Sequence, residues 1–185
     1  MTTPTAPTAQ DVIRFWFDES TPQQWFTKDS AFDQTIATRF GQTLAQAARG
    51  ELWQWRSDAL GRLAEIIVLD QFSRNVWRDT PKAFAQDGMA LVLTQEIIAR
   101  GLDQDFTEAQ RAFAYMPLMH SESLVVQDES IRQFTALGNP MNLDFAKRHR
   151  DIIVRFGRYP HRNAILGREC SEEETAFLQT PGSSF

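Results

Sequence analysis

The sequence predicts an all-α fold, and three observations carry the prediction. Apolar residues recur at helical spacing from end to end. Capping pairs with Pro or Gly stops divide the 185 residues into helix-length pieces. Alternating Val, Ile and Thr runs between turn residues, the mark of strands, are nearly absent. About eight helices are expected, in antiparallel hairpins forming a compact TPR-like α-α superhelix, although no 34-residue repeat is legible.

After a flexible tail over residues 1–8, a helix over about Ala9 to Asp18 is opened by Thr8 and Asp11 in capping-box spacing. A second runs from Ser30, three residues before Asp33, to a stop at Gly50. A third begins near Ser57 or Asp58 and carries the near-continuous apolar run LAEIIVLDQF. The fourth begins at Thr80-Pro81, with Pro in its tolerated first turn, and ends before Gly101. The third and fourth read as central helices. Helices over Thr107 to Met116 and Pro117 to Leu137 come next, the latter stopped by Gly138-Asn139-Pro140. Asn142 to Phe156 is the seventh, then RYPHRNAILGR as an ordered loop, and a short helix opened by Ser171 with Glu174 at capping-box spacing. Residues 9–185 are expected to form one domain.

The composition, 42% hydrophobic and 23% charged, is that of a globular protein. MTTPTAPTAQ has neither a basic region nor an apolar one, and no run approaches a membrane span, so a bacterial-type cytoplasm is expected and no membrane partner. The lone Cys170 has no partner for an internal disulfide. Net charge is −5, unevenly placed: residues 147–168 hold seven Lys or Arg against Asp151, a local +6 that leaves −11 elsewhere. That remainder repels a long nucleic acid, even with Tyr159 available for stacking, while a short anion is easier to accommodate.

Several polar residues fall on faces that should be buried. On a helical wheel His149 lies among Phe145, Ile152 and Phe156, with Lys147, Arg148, Arg150, Asp151 and Arg155 opposite. His120 and Gln127 share a stripe with Leu124, Ile131 and Phe134. Leu63, Ile66, Ile67 and Asp70 keep the i, i+3, i+4, i+7 pattern, with Arg74 one turn beyond. Buried polar groups need partners, so these should meet one another or the arginines of RYPHRN. The segments QFSRN and RYPHRN each place an aromatic residue shortly before Arg-Asn at a helix end, and two such segments could converge on one anion.

The strings LAEIIVLDQFSRNVWRDTPKAFAQD, MHSESLVVQ, HRDIIVRFGRYPHRNAILGR and SEEETAFL resemble the bacterial domain-of-unknown-function family 924. The resemblance extends from Val12 to the last helix and implies a TPR-like helical fold with no established activity. The matching positions include Asp70, Arg74, Asn75, His120, Glu122, His149, Arg155, Arg158, His161, Arg162, Asn163 and Arg168. Ser73 stands where the family often has Pro, and Cys170 near a position commonly Ser or Thr.

These twelve residues are the candidate ligand-binding set, for a small anion or an acidic peptide end. In the alternative reading they hold together a helical interaction scaffold. A metal-dependent hydrolase could use His120, Glu122, His149 and His161, but HExxH, paired ExxH and Cys-pair motifs are absent, so neither metal nor cofactor is expected. His120 or His149 beside Asp70 would suit acid–base chemistry. Ser121 and Ser123 lack a strand-turn-helix elbow, there is no glycine-rich phosphate loop, and the glutamates at 172–174 disfavour a Cys170 thiolate. No catalytic residue can be assigned.

Overall fold

The computed structural model describes residues 6–184, so the first five residues of the expected tail lie outside it. The described residues are all-α, with no strand among them. Thr8 caps α1 (Ala9–Arg14): its side chain accepts from the Asp11 N–H, and the Asp11 carboxylate accepts from the Thr8 N–H. The chain continues through a π-helical turn, Phe15–Glu19, and α2 (Pro22–Phe26) to α3 (Ser30–Ala48). The cap of α3 is Asp29, not Ser30, and Asp33 instead takes Asn75 and Arg78. Gly50, at φ 72°, ends the helix where expected.

A 3₁₀ turn, Trp53–Ser57, leads into one long rod. It comprises α4 (Ala59–Ile66), a π-helical turn (Ile67–Phe72) and α5 (Ser73–Val76), with Asp58 as its cap. Every residue from Leu63 to Asp70 is buried, as expected of a helix apolar almost all round. Around it, and around its own Phe72, gather Phe15, Trp16, Phe32, Phe40 and Phe113, several in edge-to-face pairs.

The fourth helix starts later than the Thr80-Pro81 signal suggested. Pro81–Ala83 form a 3₁₀ turn, and α6 runs Asp87–Ala99. It buries one stripe, Ala90, Leu93, Thr94 and Ile97, so of the two segments expected at the centre only the third is buried all round.

The expected break at Pro117 is also displaced. Helix α7 (Glu108–His120) runs through that proline, and the chain turns at Ser121–Ser123 before α8 (Leu124–Leu137). Pro117 is buried in the packed interior, where tertiary contacts outweigh the lost N–H. The shift makes His120 the last residue of α7 rather than part of the next helix. Gly138, at φ 81°, turns the chain into α9 (Pro140–Phe156), which packs against α8 as α8 does against α7. After a 3₁₀ turn, Pro160–Arg162, the capping box of Ser171 and Glu174 opens α10 (Glu172–Leu178). No helix among the described residues is long and apolar enough to cross a membrane.

Candidate functional site

The site begins with the π-helical turn of the central rod. An extra residue in a helical turn shifts the register of the residues beyond it, at some cost in backbone bonding, and such turns gather at functional positions. This one carries Asp70, whose side chain is fully buried. Its Oδ1 lies 2.7 Å from Nδ1 of His120 and 3.0 Å from Nη1 of Arg74, and its Oδ2 accepts from Nε2 of Gln71 at 2.6 Å. Arg74 donates onward to both carboxylate oxygens of Asp87, at 2.9 and 3.0 Å. The rod, α6 and the end of α7 are thereby joined through Asp70 and Arg74.

The loop after α9 closes the site from the other side. Tyr159, fully buried, donates its hydroxyl to the Met119 carbonyl, and the same oxygen accepts from Nε2 of Gln127. Its backbone N–H reaches Glu122 at 2.8 Å, and Arg168 grips the Glu122 carboxylate at 2.8 and 2.9 Å. These contacts hold RYPHRN against the α7–α8 turn. Arg162 then lies between the rings of Phe84 and Tyr159, 4.6 Å from each centroid. Its residue is 7% exposed.

A cavity of about 330 Å³ opens at this junction of α6, the end of α7 and the loop. Phe84, Leu91, Pro117 and Leu166 supply apolar walls, and Asp87, His120, Glu122 and Arg162 the polar ones.

The charges are finely matched. Burial opposes ionisation of Asp70, but the His120 and Arg74 charges, with the hydrogen bonds from His120 and Gln71, hold the carboxyl below its usual range. Burial first, then Arg74, lowers His120 against the pull of Asp70. The imidazole is therefore neutral at neutral pH, where the Arg74 charge and the hydrogen bonds from His120 and Gln71 remain beside the Asp70 carboxylate. With Nδ1–H donated to Asp70, the other nitrogen of His120, Nε2, is left as an acceptor for the cavity its residue lines. Burial pushes His149 down to about 3 and His161 to about 4.

Of the twelve residues singled out from the sequence, Asp70, Arg74, His120, Glu122, Arg162 and Arg168 meet around this junction. His149 and His161 stand behind it, with His149 6.4 Å from His120 and 5.8 Å from Tyr159, ring to ring. His149 is buried, with Nδ1 engaged by the Phe145 carbonyl of its own helix at 2.7 Å. Phe145 and Leu124, expected on inward stripes, are exposed. Asn75 lies elsewhere, donating to Asp33 at 2.7 Å beside Arg78. Arg155 pairs with Glu173 and covers Phe156, Arg158 pairs twice with Glu174, and buried Asn163 reaches Cys170. Those three fasten α10 and stay clear of the cavity lining.

QFSRN and RYPHRN do converge on one anion, and it is Asp87 of the chain itself. Arg74 takes both of its oxygens, and Arg162 reaches Oδ2 at 3.3 Å. Sequence reasoning missed Asp87 because an acid in a helix's first turn reads as a partner of the helix dipole. It missed Phe84 because a lone aromatic residue reads as core. Among the described residues no group of three or more His, Cys, Asp or Glu is arranged to hold a metal ion.

Over residues 12–182 the chain matches the family described as bacterial protein of unknown function, DUF924. It is similar to a solved structure, the protein of unknown function ATU0120 from Agrobacterium tumefaciens. The two are 41% identical, with a TM-score of 0.88 over 92% of this chain and 96% of that one. No curated protein matches. With a family match across nearly its whole length and a solved relative of the same shape, the chain belongs to the DUF924 family of bacterial proteins.

Proposed function

We propose that the cavity binds a small anion carrying an apolar body, such as a short alkyl or aryl carboxylate. The observation that carries this reading is the unfilled donor capacity of Arg162. Among the described residues its ion pair is to Asp87, long at 3.3 Å, and shares an oxygen already bonded to Arg74. Its Nε is buried without a hydrogen-bond partner. A guanidinium presents five N–H donors in a fixed fork suited to a carboxylate, and desolvated donors left open cost stability. The apolar walls suit a hydrocarbon body, and a volume near 330 Å³ sits at the small end of ligand pockets.

A second reading makes the polar cluster a clamp inside a helical interaction scaffold. It draws on the neighbouring arginines: Arg74 is held by Asp70 and Asp87, Arg158 by Glu174 and the Glu169 carbonyl, Arg168 by Glu122. Arg168 likewise leaves its Nε without a partner, but both of its Nη groups are bonded, to Glu122 and to the Tyr159 carbonyl, whereas Arg162 has only the long contact to Asp87.

Thermal unfolding with hexanoate, benzoate or inorganic phosphate separates the readings. Binding at a hundredfold excess over Kd should stabilise the native protein by about 2.7 kcal/mol, a rise of several degrees. Arg162→Gln should lose the rise. Leu166→Trp, which fills the cavity without touching the polar network, should lose it too. No rise in the parent protein, or an equal rise in all three, would leave the clamp reading standing.

A further inference from the structure

Resting on the anion-binding reading, we infer that the cavity takes up its anion together with one proton, which resides on Nε2 of His120. The bound species is then equivalent to an undissociated weak acid: a carboxylate on Arg162 beside an imidazolium.

The argument is one of charge balance in a confined, largely apolar space. Facing His120 are Asp70 and Arg74 from the central rod, Asp87 from α6, His149 from α9 and His161 from the loop, and Arg162 of the same loop lines the cavity with it. Asp70 and Asp87 balance Arg74 and Arg162, and all three histidines are neutral at neutral pH. Glu122 is balanced by Arg168. The empty site is therefore close to neutral, and an incoming anion adds one uncompensated negative charge. Burying such a charge is costly unless a counter-charge accompanies it. Both oxygens of Asp87 already accept from Arg74. His120 has the acceptor that is open: its Nδ1–H is fixed on Asp70, its ring is 16% exposed, and its residue lines the cavity.

The proton comes from solvent. An N–H bond forms at Nε2, the imidazole becomes an imidazolium, and the Nδ1–H to Asp70 stays in place. Asp70 thereby acts as a positioning residue, holding the tautomer whose free lone pair faces the ligand. Burial and Arg74 lower the proton affinity of His120 in the empty site, and an anion placed beside Nε2 raises it.

Calorimetric titration of hexanoate and benzoate into the protein tests this, in buffers of low and high ionisation enthalpy. The slope of observed heat against buffer enthalpy should report uptake approaching one proton per ligand near neutral pH. Because a proton is taken up, affinity should weaken as pH rises, by up to about tenfold per unit across about pH 6 to 8. In His120→Gln the uptake and the pH dependence should vanish, whatever affinity remains. Histidine-labelled wild-type protein gives the same answer without a variant, since its ¹⁵N spectrum should show one ring nitrogen moving from the deprotonated to the protonated range on adding benzoate. Binding without proton exchange, or uptake that persists in His120→Gln, overturns the assignment and leaves the anion site intact. Absence of binding at every pH overturns the anion site itself.

Discussion

Arg56 and Glu65 show what a structural ion pair looks like here, and so what Arg162 is not. The Glu65 carboxylate is fully buried and receives Nε and Nη2 of Arg56, both at 2.7 Å. Arg56→Ala strands that carboxylate and should cost about 3 kcal/mol in urea unfolding. Pairing it with Glu65→Leu should recover most of the loss, and a single variant as stable as wild type would show the pair to be dispensable. Arg162, with a shared 3.3 Å contact and a partnerless Nε, has no such fit. At this scale the sequence was partly legible. Helical phase predicts that His149 is buried and that Asp70 and Arg74 meet, and both hold. Phase predicts direction but not partner: that Nδ1 of His149 engages the Phe145 carbonyl one turn back is not legible from a wheel. Asp87 was illegible because its role depends on two arginines 13 and 75 residues away in sequence.

Among elements, stops were read better than starts and interruptions. Gly50, Gly101 and Gly138 all adopt positive φ at helix ends, a conformation that glycine alone takes without strain. Helix α2 escaped notice although Thr21 and Gln24 form a capping box, because five residues show no periodicity. The π-helical turn at Ile67–Phe72 was invisible, since an apolar run on every face looks alike in any register. Yet that turn places Asp70. Two glycines offer a test at this scale. A Cβ at Gly61 would lie 1.9 Å from the Trp55 carbonyl oxygen, where α4 leaves the 3₁₀ turn, while one at Gly41 within α3 meets nothing within 4 Å. Gly61→Ala should therefore destabilise by about 3 kcal/mol or prevent folding. Gly41→Ala should stabilise by up to about 1 kcal/mol. Chemical denaturation measures both, and an unchanged Gly61→Ala midpoint would mean that the two segments separate easily.

For the whole molecule, the three histidines held neutral in one interior region set the response to acid. In the unfolded chain each has a pKa near 6.5. His149 and His161, at about 3 and about 4 when folded, resist protonation that the unfolded state accepts. The unfolded state then binds more protons, so stability should fall as pH drops through about 6.5, by about 1.5 kcal/mol for each of these two histidines by pH 5. Asp70 acts lower down: its folded pKa is depressed, so its contribution is present above about 3.9 and is lost as pH falls further. Urea midpoints measured between pH 7 and 5 check this, with a shallower slope expected for His149→Gln, and a flat profile in the parent would refute the buried neutral cluster. The same interior carries the central claim, that this polar junction is a binding site and not merely a fastening. The most direct measurement is a crystal structure of the protein soaked with 4-bromobenzoate, located by the anomalous signal of bromine. The account predicts the carboxylate within hydrogen-bond distance of Arg162 and His120, with the bromine among Phe84, Leu91 and Leu166. A cavity without bromine density, Arg162 still on Asp87, would contradict it.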